Sequence, residues 1–363
     1  MDYDVIVVGA GLAGAAAAWQ LTRRGRSVLV LEAHSLGHRR GSSHGTSRIY
    51  RRAYADPFYV QPTGRAEAAW QELESEAHLT LRTPTGAVDS GQGRDLAQMV
   101  GMMIEQGVPA ELVSAAAAAE RWPGMLFDGP VMFHPGAGFL NPNATVNTCL
   151  QLARAGGAVV WAETAVVSLE MAAGGVAVHT AGGSQSAAQV VVAAGPWLRE
   201  LLPNLGIEIA LAPLGVRQTE VFHFRHRDPG AAWPTVVHKG EVELYGLPSG
   251  ADGGPAPAMK IGQFDDQTFT SATKRDQMID PRARQVVRGH VDRWLPGLEP
   301  DPVNEQSCLF TMTPDQDFIL DRTDPVVIAS PCSGHGAKFT PLIGALIADL
   351  VEGAPPLPRF AFR

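Results

Sequence analysis

The stretch Asp4-Val5-Ile6-Val7-Val8-Gly9-Ala10-Gly11-Leu12-Ala13-Gly14 constrains this chain more than any other. Val5 to Val8 is a continuous apolar, β-branched run and predicts a strand buried on both faces. Gly9, Gly11 and Gly14 then stand in the spacing G-x-G-x-x-G. The first permits a tight turn, the second lets a pyrophosphate approach the backbone, and the third lets the next helix pack closely on the strand. Ala15 to Leu21 is mostly strong helix former, and the N-terminus of that helix offers free N–H groups and a positive dipole end. After Gly25 a second apolar strand, Val28 to Leu31, ends in Glu32. It lies about 20 residues past the glycines, where a carboxylate takes ribose hydroxyls. Strand, glycines, helix, strand and acid in register predict a dinucleotide site. The acid selects an unphosphorylated ribose, hence NAD or FAD, and the motif does not choose between them.

The 363 residues correspond to about two domains of ~100–200 residues each. An apolar fraction of 45% against 18% charged residues suits a large core. The net charge of −8 argues against nucleic acid as a partner. No apolar run approaches the ~20 residues of a membrane span. The first strand begins within a few residues of Met1, so no signal peptide is expected, and Ala361-Phe362-Arg363 is not a peroxisomal tripeptide. A cytoplasmic protein is expected. Cys149, Cys308 and Cys332 are too few for a disulfide scaffold, and no metal site is expected.

From Ala33 to Tyr54 the chain is rich in glycine, serine, arginine and histidine and has no clean period, which predicts a loop passing into a short helix or turn. Arg48 and Arg51, three apart, would share one side of a helical turn, or belong to a solvated basic loop. Helices are predicted over 59–79, 96–106, 110–121, 144–155, 280–294 and 341–351. Strands are predicted at 80–82, 86–88, 130–134, 158–161, 165–171 and 175–180. Gln189 to Ala193 is a further buried strand, running into Gly195-Pro196-Trp197. From Val216 to Met278 the chain is strand-like with breaks at 228–230 and 249–257, which predicts a mostly antiparallel sheet in which 242–247 pairs with 258–264. Ser333-Gly334-His335-Gly336-Ala337-Lys338 is a glycine-rich turn opening the last helix, and a lysine beside a helix N-terminus suits an anion or a cofactor edge. On the residues alone, Cys308 reads as an inert buried thiol and Lys260 as a surface lysine.

Together these stretches resemble the monomeric sarcosine oxidase and N-methyltryptophan oxidase group of the D-amino-acid-oxidase-like flavoproteins, over nearly the whole chain. The resemblance rests on Gly9 to Glu32, on Gly41-Ser42-Ser43-His44-Gly45-Thr46-Ser47-Arg48-Ile49-Tyr50-Arg51, on Val192-Ala193-Ala194-Gly195-Pro196-Trp197, on Cys308-Leu309-Phe310-Thr311-Met312-Thr313-Pro314-Asp315, and on Ser333 to Phe339. It implies FAD. It implies a thioether from Cys308 to the flavin 8α-methyl, with Cys332 structural. It implies that Gly9, Gly11, Gly14, Glu32, Ser42, His44, Arg48, Val166, Gly195, Trp197, Gly334, His335, Gly336 and Lys338 line the cofactor. Arg51 and Lys338 would hold a substrate carboxylate, Arg48 and His44 would place positive charge beside the flavin ring, and Lys260 would promote reaction with oxygen. Tyr245 and Phe264 would wall the substrate.

Family members acting on sarcosine carry a histidine four residues after this lysine, where the present chain has Phe264. The resemblance therefore points away from sarcosine itself and toward a cyclic amine or one with an apolar side chain. The fold expected is α/β: a discontinuous Rossmann-like FAD-binding domain (1–84, 144–215 and 307–363) and an α+β substrate domain on an antiparallel sheet (85–143 and 216–306). The function expected is oxidation of a secondary (N-methyl or cyclic) α-amino acid to an imine, with O2 reduced to H2O2, by a monomer without membrane or nucleic-acid partners. The alternatives are an FAD-dependent dehydrogenase, a biosynthetic tailoring oxidase for an unusual cyclic or carrier-bound amine, or a non-catalytic flavoprotein.

Overall fold

The computed structural model describes residues 1–172, 174–206, 208–264 and 268–363, so the part of the strand-like 216–278 stretch at 265–267 lies outside the described residues. The strand Tyr3–Val8 is central to the first sheet and pairs in parallel with Val28–Leu31 on one side and Gly183–Val192 on the other. Its side chains alternate between two cores. Val5 and Val7 pack with the helices Leu12–Arg23 and Thr340–Val351, while Ile6 and Val8 pack with Val190, Val192 and Ile328 on the opposite face. A strand covered on both sides needs an unbroken apolar sequence, which Val5 to Val8 supplies. Val159–Trp161 and Val326–Ser330 extend the parallel part, and Val166–Ala172, Gly175–Thr180 and Ile319–Thr323 add antiparallel strands.

The second sheet is mostly antiparallel and is built chiefly from Gly215–Arg225, Thr235–Lys239, Glu243–Pro248 and Ala258–Gln263. Glu243–Pro248 pairs with Ala258–Gln263 as the alternation predicts. One parallel pair, Ala87–Ser90 beside Thr235–Lys239, carries the sheet onward to Val131–His134. The helix Pro281–Trp294 covers one face through Ala283, Val287 and Val291. The strand Asn304–Met312 belongs to this second sheet, hydrogen-bonded along Gly215 to His223, and the chain returns to the first sheet only at Ile319.

Two local expectations give way to long-range pairing. Arg48–Tyr50 is a strand rather than a helical turn, because Gly138–Leu140 pairs with it and with Arg82–Pro84 in a small third sheet. Arg48 and Arg51 therefore do not share a helix face. The predicted helix over 110–121 divides into the strand Glu111–Val113, paired with Val131–Phe133, and the helix Ala115–Arg121 capped by the Ser114 hydroxyl. Among the described residues no helix is long and apolar enough to cross a membrane.

Candidate active site

A cavity of about 870 Å3 reaches from the Gly9–Leu12 turn and Glu32 to Arg51, Lys239 and Phe264. At the first end, Gly9 has φ of +100°, and a Cβ on Gly14 would stand 1.9 Å from the Gly9 carbonyl oxygen. Gly14 does not line the cavity; it brings the helix against the strand. Leu12 N donates to Ser43 Oγ at 3.0 Å. The Glu32 carboxylate accepts from Ala10 N at 2.8 Å and His34 N at 3.0 Å and faces His38 Nε2 at 3.3 Å. Burial raises its pKa, but the His38 contact and the two N–H donors prevail and hold it below the ordinary range, so Glu32 is an anion. Gly195, Trp197 and Val166 line the same end, with the Trp197 ring beside His34 and His38.

In the middle, the loop 42–47 wraps one guanidinium. Arg48 donates to the carbonyl oxygens of Ser42, His44 and Ser47 at 3.1, 2.7 and 2.8 Å, and its Nη2 lies 3.7 Å from Cys308 Sγ. Ser42 Oγ donates to Leu309 O at 2.6 Å, and Asp252 accepts from Thr46 N at 2.7 Å, which fixes the loop to the strand Asn304–Met312 and to the short 3-10 turn Gly250–Gly253. Burial pushes the Cys308 thiol up, but His44 and the charges of Arg48 and Arg275 outweigh it and bring the pKa to about 6. Cys308 is therefore a thiolate at neutral pH rather than an inert thiol. Cys332 also lines the cavity, and there burial raises the thiol to about 11. Both His44 ring nitrogens are buried without an oxygen or nitrogen partner, the ring interacting only with the Cys308 sulfur among the described residues.

Lys260, which the residues alone would put at the surface and the resemblance beside the flavin, is only 3% exposed. Its Nζ donates to Ser47 O at 2.5 Å. Burial and the Arg48 charge lower its pKa to about 7. Tyr245 lies on the neighbouring strand, across from Gly262, where a Cβ would meet the Tyr245 hydroxyl at 2.6 Å.

At the far end, Lys338 Nζ donates to His335 O at 2.9 Å and Tyr54 Oη at 3.2 Å, and Trp70 Nε1 fixes the Lys338 carbonyl at 2.7 Å. Tyr54 Oη is 2.8 Å from His335 Nδ1, and His335 Nε2 is 2.9 Å from Gln316 O. Burial and the Lys338 charge lower the His335 pKa to about 3, so the ring is neutral, with Nε2–H donating to the carbonyl and Nδ1 accepting from tyrosine. Burial and the Arg51 charge hold Lys338 well below the usual lysine range. Gly336 permits the turn, since a Cβ there would stand 1.7 Å from Pro331 O. Gly334 gives room to Phe264, whose ring a Cβ would meet at 2.8 Å.

The structure thus gathers every predicted site residue except Gly14 along one cavity. Sequence reasoning missed Tyr54, Asp89, Arg94 and Lys239. Arg51 Nη1 donates to both Asp89 oxygens at 2.6 and 2.8 Å, Arg94 Nη1 donates to Oδ1 at 2.5 Å, and Asp89 is fully buried. The signal was present: an aspartate inside the apolar strand Ala87–Ser90 has to meet a cation. Lys239 Nζ pairs with Glu243 and lies 4.7 Å over the Phe264 ring. Among the described residues no group of three or more His, Cys, Asp or Glu side chains could hold a metal ion.

Residues 4–350 match the family described as FAD dependent oxidoreductase. The chain is 32% identical to the monomeric sarcosine oxidase of Streptomyces avermitilis, with 96% of this chain and 93% of the relative covered. It is 30% identical to the N-methyl-L-tryptophan oxidase of Yersinia pestis, covering 98% and 96%. The solved structure of NikD, an unusual amino acid oxidase essential for nikkomycin biosynthesis, superposes with a TM-score of 0.88 at 27% identity, covering 99% of this chain and 97% of that one.

Proposed function

The chain belongs to the FAD dependent oxidoreductase family, and on that premise we propose that it is an FAD-dependent amine oxidase, converting a secondary α-amino acid to its imine with O2 reduced to H2O2. The observation that carries this reading is that one cavity holds Arg51 and Lys338, which we read as a carboxylate clamp, together with Lys260, Arg48 and the Cys308 thiolate. The residues present fit FAD. Gly9 and Gly11 open the backbone where a pyrophosphate would lie, Glu32 awaits ribose hydroxyls on its remaining lone pairs, and the buried His44 nitrogens, with no oxygen or nitrogen partner, call for a polar ligand.

FAD, when bound, supplies the two-electron acceptor for the substrate C–H bond and passes the electrons to oxygen. The protein supplies position and charge. Arg51 Nη2 and Nε make no hydrogen bond among the described residues, and the nearby Lys338, with two of its three N–H groups given to His335 O and Tyr54 Oη, adds one more donor, so a carboxylate finds a planar fork and a point charge on one wall. An arriving carboxylate favours the protonated form of Lys338 Nζ, offsetting the burial that depresses its pKa. Tyr54 keeps Lys338 in place from the other side. Tyr245 and Phe264 close the pocket and exclude water, which orients the α-nitrogen and its C–H bond as one rigid body. Lys260 and Arg48 contribute positive charge where electrons accumulate. Cys308 would carry the flavin covalently, its thiolate being the nucleophilic form. The NikD likeness and Phe264 favour a second reading as well: a tailoring oxidase for a cyclic amine.

The test is anaerobic titration of the purified yellow protein with sarcosine, pipecolate, proline and N-methyl aromatic amino acids. Bleaching by one of them, reversed by air with peroxide release, is expected. Bleaching that air reverses only slowly and without peroxide would assign a dehydrogenase instead. A protein that never held flavin would overturn the reading.

A further inference from the structure

We propose that Arg94 and Lys239 form a second anion subsite, so that the substrate is a secondary α-amino acid bearing a second carboxylate. This rests on the reading above and narrows its substrate class.

Strand pairing brings the two cations together. Ala87–Ser90 runs parallel to Thr235–Lys239, with Asp89 beside Val237. The loop that follows Ser90 folds back on the end of its neighbour, where Gly93 N donates to Lys239 O at 3.0 Å. Gly91 makes this approach possible, since a Cβ there would stand 2.3 Å from that oxygen. Arg94 emerges from this loop into the cavity wall beside Lys239, and Asp89 joins it to Arg51. Each guanidinium gives Nη1 to Asp89 and makes no other hydrogen bond among the described residues. Two half-used forks therefore stand on one wall, and only one of them, Arg51 with Lys338, is needed for the α-carboxylate.

The charge balance leads to the same substrate. Arg51, Arg94 and Lys239 face the two carboxylates Asp89 and Glu243. With Lys338 protonated the excess is two positive charges, the complement of a dicarboxylate with a neutral amine. A monocarboxylate would leave one cation unanswered in a half-buried pocket, which is costly. Phe264 fits this picture. Its ring carries the Lys239 ammonium, so the wall that replaces the family's histidine presents a cation above an apolar floor.

The experiment is calorimetric titration of the flavin-containing protein with glutarate and with butyrate at fixed salt, followed by anaerobic reduction with N-methyl-L-glutamate and its neutral isostere N-methyl-L-glutamine. Glutarate should bind about tenfold to a hundredfold more tightly than butyrate, the range of one or two charge-assisted hydrogen bonds. The acid should exceed the amide in kcat/KM by a similar factor. Arg94→Gln, with Lys239→Gln as a second variant should the first fail to fold, should collapse both ratios. Equal binding of glutarate and butyrate, or ratios that survive in the variants, would overturn the subsite. Amine oxidation without the acidic preference leaves the proposed function standing and removes the subsite. Tight glutarate binding with no reduction by any amine keeps the subsite and removes the proposed function.

Discussion

Replacing Lys260 by methionine separates what the ammonium costs the fold from what it gives the chemistry. The side chain is almost fully buried, with one hydrogen bond among the described residues, to Ser47 O. Burial and Arg48 bring its pKa from 10.5 to about 7, which at 1.36 kcal/mol per decade is about 5 kcal/mol against the folded state at neutral pH. The unfolded lysine keeps its proton up to about pH 10.4 and the folded one only to about 7, so the unfolded chain binds more protons between those values and stability rises with pH across that window. The penalty is complete below pH 7 and gone above pH 10. Methionine removes it, and Ser47 O is not orphaned, because Arg48 Nη1 still donates to it at 2.8 Å. Allowing for relaxation, Lys260→Met should gain about 1–4 kcal/mol at pH 7, seen as a higher melting temperature, and the advantage should fade by pH 10.

Function should move the other way. A cation about 5 Å from a developing anion, at an effective dielectric constant of about 20, is worth about 3 kcal/mol, or about two orders of magnitude in rate. Stopped-flow measurement of the two half-reactions reads this directly. Reoxidation should slow about 100-fold and reduction far less. Equal slowing of both half-reactions, unchanged reoxidation, or a stability gain that persists at pH 10 would refute the reasoning.

Asp89→Asn leaves Arg51 and Arg94 opposed without their shared anion, so it should cost about 3–5 kcal/mol in stability. It should also raise KM more than it lowers kcat, with Asp89→Glu restoring part of both; steady-state kinetics and thermal melts check this. Acid-precipitated wild-type protein should stay yellow, and Cys308→Ser should release its flavin to the supernatant; free flavin from the wild type would exclude the thioether. Gly14→Ala places a methyl 1.9 Å from Gly9 O, so the helix must shift; the flavin-to-protein absorbance ratio of the purified variant should fall well below that of the wild type.

The first sheet could be read from the sequence because its signals are local. Val5 to Val8, the glycine spacing and Glu32 specify strand, turn and acid within one short segment. Where a partner lies far along the chain, local signals mislead. Arg48–Tyr50 becomes a strand because of Gly138–Leu140, and Glu111–Val113 escapes an alanine-rich helix because of Val131–Phe133. The same reason divides the site. Arg51, Lys260 and Lys338 came from motif resemblance, and the structure places all three along one cavity. Arg94 and Lys239 belong to no motif. The parallel pairing of two strands separated by more than 140 residues brings them together, and no periodicity in either segment announces it. Lys260 looked like a surface residue because burying an ammonium costs energy, and folding stability alone gives no reason to do so.

Within the second sheet, Gly215–Arg225 and Asn304–Met312 lie side by side and are zipped in antiparallel register from Gly215↔Met312 to His223↔Asn304. Cys308 sits midway along this clasp, opposite Thr219. A slip by one residue would turn the sulfur to the other face of the sheet, and moving Cys308 along its neighbour would have to break the whole ladder. Anything anchored at that sulfur inherits the stiffness of the seam. Its separation from Lys260 is then fixed by strand register, because Gly215–Arg225 pairs with the strands of both residues, as tooth positions are fixed on a gear, leaving the surface loops to provide whatever motion admits and releases small molecules.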